Sequence, residues 1–314
     1  MVYVWQNYNV KMEEKMRFLL GYRRDKGITL IALVVSIIVL LILAGVSIAM
    51  LMGKNKILTQ AQSAKNLYTK SNFKEKIQLV IVPYILRDNS IEENEIASIT
   101  DELASYGIET RKIPSYDGKI DLEAKDSENN ICLINNEGNI IDKVEGNKND
   151  WEISNYRNYY MITKYIGENV ENLVIPNYID GKWIQALRGI HAKNSIVDGY
   201  NIKSINIMEG IKKLDTSSFL GITSIETVKL PNTLKDIDWG AFKGCSNLKE
   251  INFPNSLSLI GQASFDSCTS LSTELILGEK IEQIGTYAFV NSSVKKIKIN
   301  REKDTVRIDP RSII

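Results

Sequence analysis

The sequence predicts an α+β protein in three parts. A long N-terminal helix starts in a membrane and continues as a stalk, a small antiparallel sheet domain follows, and a solenoid closes the chain. Three observations carry that prediction. Residues 28–52 hold no charged side chain, residues 108–144 alternate apolar and polar with a period of two, and Phe219, Phe242, Phe265 and Phe289 recur at intervals of 23, 23 and 24 residues.

The apolar run ITLIALVVSIIVLLILAGVSIAMLM (Ile28–Met52) has only Thr29, Ser36 and Ser47 as polar side chains. At ~1.5 Å per residue a helix of this length covers the ~30 Å hydrocarbon core of a bilayer, and a helix pairs its own backbone polar groups there. Lys11, Lys15, Arg17, Arg23, Arg24 and Lys26 precede the run, whereas Lys54 and Lys56 follow it. Cationic flanks stay in the cytoplasm, so residues 1–27 are expected inside as a leader and everything after Gly53 outside, as in a single-pass cell-membrane protein. A cleaved secretory signal is the competing expectation, with Ala44, Gly45, Ser47 and Ala49 as the small residues it would need.

Outside the membrane, Ile57, Ala61, Ala64 and Tyr68, then Phe73, Ile77, Val80 and Tyr84, return at helical spacing. A stalk helix follows, with an interruption expected near Pro83 because proline cannot donate to the helix ladder. Ser90 and Glu93 have capping-box spacing, Ile96, Ile99, Leu103 and Tyr106 share one face, and Gly107 suits the helix end. Short strands are predicted at 108–113, 119–124, 131–135 and 139–144, separated by Asp117-Gly118 and Asn136-Glu137-Gly138. The stalk and sheet occupy 53–146, and Gly146–Asp150 reads as a linker into a repeat region at 147–300, with 301–314 as a tail.

In the repeats, Leu214, Ile237, Ile260 and Ile284 stand five positions before each phenylalanine, and Ile222, Cys245, Cys268 and Ser292 three after. Strand-like triplets follow at Val228–Leu230, Ile251–Phe253, Leu275–Leu277 and Ile297–Ile299, and KLPNTL and NFPNSL are near copies. A fixed period in the twenties marks a solenoid of leucine-rich type, in which each coil buries an apolar side only by stacking on its neighbours. Cys245 and Cys268 share a phase and are expected as packed thiols in adjacent coils, and three cysteines in all do not make a disulfide framework.

Two resemblances follow from these residues. Lys26-Gly27-Ile28-Thr29-Leu30-Ile31 and the apolar run after it resemble the processing segment of type IV prepilins. That resemblance implies cleavage by a prepilin peptidase after Gly27, methylation of Ile28 and pilin-like subunits as partners. Ala32 stands where the family carries a glutamate that pairs with a neighbour's N-terminal amine, which favours a minor pilin-like subunit or a plain anchor over a major fibre subunit. The runs Ile237–Cys245 with Leu248, Ile251 and Pro254, and Ile260–Cys268 with Leu271, resemble the BspA-like family of bacterial surface leucine-rich repeats. Met161–Tyr165, Leu173–Pro176 and Asp180–Lys182 resemble that family's entry segment, while Leu214-Asp215 departs from its Ile-Gly pair. The resemblance implies surface display and adhesion to an extracellular protein or glycan.

Side chains alternate along a strand, so the middle residue of each triplet faces outward. Val174, Asn206, Lys229, Asn252, Ile276 and Lys298 are therefore the candidate ligand face, widened by Glu226, Thr227, Glu250 and Lys296. The competing expectation is that this ribbon is only the solvated side of a sheet. Charge is balanced, 39 basic against 38 acidic residues, which gives no electrostatic case for nucleic acid. No enzyme, cofactor or metal is expected. His191 is the one histidine and has no nucleophile motif beside it, no zinc spacing occurs, and Asp126–Asn130 reads as a hairpin turn rather than a calcium loop.

Overall fold

The computed structural model describes residues 54–189, 195–300, 307–309 and 311–312. The leader, the apolar run at 28–52, Gly27, Ile28 and His191 lie outside these residues. Among the described residues no helix is long and apolar enough to cross a membrane. The chain divides into two units, 1–72 and 73–314. Of the first, residues 54–72 are described, and they form the opening turns of helix α1 (Lys54–Asp88).

The predicted interruption at Pro83 does not occur, since α1 carries Pro83 in its interior. Pro83 is exposed, so water can serve the carbonyl that its missing N–H leaves without a partner. Meanwhile Phe73, Ile77, Val80 and Ile81 hold the helix in a core with Ile99, Leu103, Ile108, Leu122 and Ile134. The second helix, α2 (Ile96–Ser105), buries Ile96, Ile99 and Leu103 as predicted, whereas Tyr106, expected on the same face, follows the helix end and is exposed. Its start is shifted from the expected Ser90. The box is formed by Glu92 and Glu95 and caps a 3-10 turn at Glu93–Glu95 that leads into α2, with the Glu95 carboxylate accepting from the Glu92 N–H at 2.9 Å. Ile91 is buried and Glu95 is held by Arg87, which fixes the entry two residues later than local spacing suggests.

Strands β1 (Ile108–Pro114), β2 (Ile120–Asp126), β3 (Ile131–Ile134) and β4 (Ile140–Asp142) form an antiparallel meander in chain order. The Asp126–Asn130 segment is the expected hairpin turn, with Asp126 Oδ1 accepting from the N–H groups of Glu128 and Asn130.

The expected linker is ordered structure. Strand β5 (Glu145–Gly146) pairs with β9 (Tyr178–Ile179), and Lys148–Asp150 forms a 3-10 turn capped by Asn147. The chain then builds two parallel sheets that share one core. The first holds β8 (Asn172–Ile175), β11 (Ser204–Ile207), β13 (Thr227–Lys229) and β15 (Glu250–Ile251), with β17 (Glu274–Leu277) and β19 (Lys296–Ile299) as a separate pair. The second begins with the antiparallel hairpin β6 (Trp151–Tyr156) and β7 (Tyr159–Tyr165). It runs on through β10 (Lys182–Leu187), β12 (Lys213–Leu214), β14 (Asp236–Ile237), β16 (Leu259–Ile260), β18 (Gln283–Ile284) and β20 (Arg307–Ile308). Strand β20 lies beyond the predicted repeats, in the segment expected as a tail, and caps the last coil through a bond from Phe289 N to Ser312 O.

Between the sheets Phe219, Phe242, Phe265 and Phe289 stack with ring centroids 5.2 Å apart at each step. The thiols of Cys245 and Cys268 donate to the carbonyls of Phe219 and Phe242, one coil back, at 3.1 Å, and no disulfide joins the two. Two left-handed residues recur in every coil, at Ser217, Gly240, Ala263 and Tyr287 and at Gly221, Gly244, Ser267 and Asn291. They lie two positions before and two after the phenylalanine, and they turn the chain about the ring.

The meander docks against the second sheet, near β10, β12 and β14. Trp183 Nε1 donates to Glu123 Oε2 at 2.7 Å, Gln185 Nε2 to Pro114 O at 2.8 Å, and Tyr116 Oη to Asp236 Oδ2 at 3.1 Å. Leu133, Ile141, Tyr178 and Trp183 form an apolar cluster across the same junction.

Candidate ligand face

With the second sheet occupied by the meander, the first sheet is the one left open. Its register places the predicted residues in a row: Val174 is paired with Asn206, Asn206 with Lys229, and Ile276 with Lys298. The alternation holds, because Leu173, Ile175, Ile205, Ile207, Val228, Leu230, Leu275 and Leu277 are buried while the residues between them face outward. Val174 is 49% and Ile276 60% exposed, unusual for aliphatic side chains in a strand, and Lys229, Asn252 and Lys298 are exposed as well. All six candidates thus lie on the open face, with Asn206 half-buried.

Asn252 has a second task. Its amide donates to Leu230 O at 3.0 Å and accepts from Leu230 N at 2.7 Å, so it laces two coils together where the regular ladder stops. Along the margin, Glu226 accepts from Lys249 at 2.8 Å and lies 3.8 Å from Lys203, and Glu274 pairs with Lys296 at 3.0 Å. The bond and charge of Lys249 hold the exposed Glu226 carboxyl below its ordinary range. Lys229, on the central strand β13, is exposed on the same face.

The row is not continuous. β15 ends the first sheet, and β17 pairs with β19 only. Two residues separate Leu248 from Ile251, but three separate Leu271 from Leu275, and Ser272 is the extra one. Thr273 O accepts from Lys295 N and Lys296 N, just as Glu226 O accepts from Lys249 N and Glu250 N, so the coil resumes its phase at Thr273. The insertion opens a groove of about 630 Å³ over β11, β13 and β15, walled by Leu271, Ser272 and Leu275. The expected ribbon is thus broken between Asn252 and Ile276, and the 24-residue interval between Phe265 and Phe289 is the signal of that break in the sequence.

Chemically, the face offers apolar side chains, amides and a lysine on a rigid strand repeat, with no nucleophile-base pair among the described residues that line it. Clusters able to hold a metal ion are likewise not found among the described residues.

Comparison with known proteins agrees with this geometry. Residues 193–309 match, in six copies, the family described as BspA type leucine rich repeat region. These residues therefore resemble BspA-type leucine-rich repeats, and the stacked parallel strands make the region a leucine-rich repeat solenoid. No curated protein matches the chain. Similar solved structures include the leucine-rich repeat protein of T. pallidum, 25% identical over 49% of this chain and 71% of that one, with a TM-score of 0.42. A leucine-rich repeat protein from Bacteroides ovatus is 19% identical over 47% of this chain and 39% of its own, with a TM-score of 0.37. A leucine rich cell surface protein from Faecalibacterium prausnitzii is 19% identical over 49% and 54%, with a TM-score of 0.33.

Proposed function

We propose that the protein is a membrane-anchored, cell-surface binding protein that holds an extracellular protein or glycan on the first sheet of its solenoid. The observation that carries this proposal is the open face itself, where Asn206, Lys229 and Asn252 line a groove on a rigid scaffold and Val174 and Ile276 stand exposed on the same face. Aliphatic side chains turned to solvent beside a cation and amides are the mixture that an adhesive contact uses. The uncharged run at 28–52 supports the anchor, and the BspA-type match supports surface display. Full-length protein in detergent, applied to an array of extracellular proteins and glycans, should bind at least one class. Lys229→Glu should weaken that binding at least tenfold while leaving the melting temperature unchanged. Equal binding by the variant places the contact elsewhere.

A second proposal rests on Lys26-Gly27-Ile28: a minor pilin-like subunit processed by a prepilin peptidase, with the repeats displayed on it. N-terminal sequencing of membrane-extracted protein decides between them, because a start at Ile28 supports processing and an intact leader supports a plain anchor.

A further inference from the structure

Where the meander meets the solenoid, Lys212 and Asp121 are buried to 1% and 0% exposure. Lys212 Nζ lies 2.6 Å from Asp121 Oδ2 and 2.7 Å from Ser115 Oγ. No side chain donates to the other carboxyl oxygen, Oδ1, and the backbone of Asn136 faces the group. By contrast, the Lys235–Asp117 pair at this junction is hydrated, 19% and 17% exposed. An ion pair taken fully out of water gains little over an apolar replacement, so its presence calls for a further reason.

We propose that Lys212 and Asp121 are the site of an internal covalent cross-link, an amide between Lys212 Nζ and Asp121 Cγ. Transfer of the shared proton from Lys212 Nζ to Asp121 Oδ2 leaves an amine beside a carboxylic acid. Burial is the largest influence on Asp121 and raises its pKa, which agrees with an acid form. The amine lone pair then attacks Cγ, a C–N bond forms, and a C–O bond breaks. The leaving hydroxyl departs as water, taking the proton that the nitrogen sheds. No oxidant, reductant or cofactor enters the balance.

The structure also supplies a proton path. Ser115 Oγ accepts from Lys212 Nζ, and the Ser115 hydroxyl is bonded in turn to the Asp117 carboxylate. Burial raises the Asp117 pKa, but the charge of Lys212 before it gives up its proton, together with the bonds from Lys235 and Ser115, outweighs it and holds Asp117 at about 2. Asp117 is therefore an ionised base that can take a proton from nitrogen and return it to the leaving oxygen. Ser115 and Asp117 are positioning and proton-carrying residues, and Lys212 and Asp121 are the reacting pair. Reacting groups held at such range reach effective molarities of ~10⁵–10⁸ M, which offsets the weak electrophilicity of a carboxyl. Lys212 and Asp121 are 91 residues apart in sequence, so the link closes a large loop and joins meander to solenoid.

The test is mass spectrometry of the purified full chain. A tryptic digest of denatured protein should contain a branched peptide joining 120–125 to 204–213, one water lighter than its two parts, with no cleavage after Lys212. Asp121→Asn should keep the branch and lose ammonia in place of water, and Lys212→Arg should abolish it. Asp117→Asn and Ser115→Ala should each lower the linked fraction at least tenfold in protein that still melts cooperatively. Linear 120–125 and free cleavage after Lys212 in the wild-type protein overturn the proposal, as does a water loss confined to Asp117-Gly118. A linked fraction unchanged in Asp117→Asn and Ser115→Ala overturns the proton path.

Discussion

At the scale of single residues, each coil closes on one aromatic ring and two left-handed turns. Phe242 is fully buried between Phe219 and Phe265, so Phe242→Ala opens a cavity with a neighbour on both sides. The expected loss is about 3–5 kcal/mol in denaturant unfolding, the range for buried aromatic truncations. The opposite effect is expected at Ala263, which sits at a φ of 53° where the equivalent coil position is Gly240. Ala263→Gly should raise stability by about 1 kcal/mol, because a Cβ in the left-handed region costs ~1–2 kcal/mol and only a little apolar area is given up. The thiols supply a third test. Burial pushes Cys268 up to about 12, against an ordinary value of 9.0, and Cys245 is raised as well. Unfolded thiols release protons above pH 9 while the folded ones keep them, so the unfolded state binds fewer protons and stability falls as pH rises from 9 towards 12. Denaturant titrations at pH 8 and 10.5 should show that loss in the wild type and a smaller one in Cys268→Ala. Native protein at pH 8.5 should also resist iodoacetamide at both sites until it unfolds.

At the scale of elements, one inserted residue decides the shape of the open face. Deleting Ser272 restores the spacing found between Leu248 and Ile251, which lets the Lys249 carbonyl accept from the following coil as Glu226 does from its own. The expected outcome is a continuous ladder from β15 to β17, slower amide exchange at Glu274, and loss of any ligand held in the groove. Unchanged exchange would mean that the side chains of Leu271 and Leu275, rather than the spacing, keep the strands apart. Helix α1 illustrates the limit of a local rule. Proline spacing predicted an interruption, yet the buried Phe73–Ile81 side outweighs one missing hydrogen bond on an exposed surface.

At the scale of the molecule, the meander and the solenoid of the 73–314 unit share a buried polar junction as well as an apolar one. Lys212, Asp121 and Gln185 are inaccessible there, and Trp183 is 2% exposed. A fragment starting at 147 would present Lys212, Gln185 and Trp183 to water and would lack Asp121, the partner of Lys212. It is expected to melt well below the intact chain, or to aggregate, and the intact 73–314 unit to unfold in a single calorimetric transition. Two separated transitions would show that the junction is weak. Binding experiments accordingly call for the full chain.

Much of this architecture was legible in the sequence, because the features concerned are local or periodic. Apolar residues returning every 23 positions specify a stack in which each Phe meets the next, and period-two alternation fixes which strand residues face outward, from Val174 to Lys298. The four meander strands and the packed thiols follow from the same short-range regularities. What only the tertiary structure decided lies between residues far apart in the chain. The order of 147–150, the capping strand β20, the ladder break at Ser272 and the meeting of Lys212 with Asp121 all depend on which surface covers which. No spacing encodes that choice, because burying a charged or irregular residue becomes favourable only after a distant partner has arrived to pair with it.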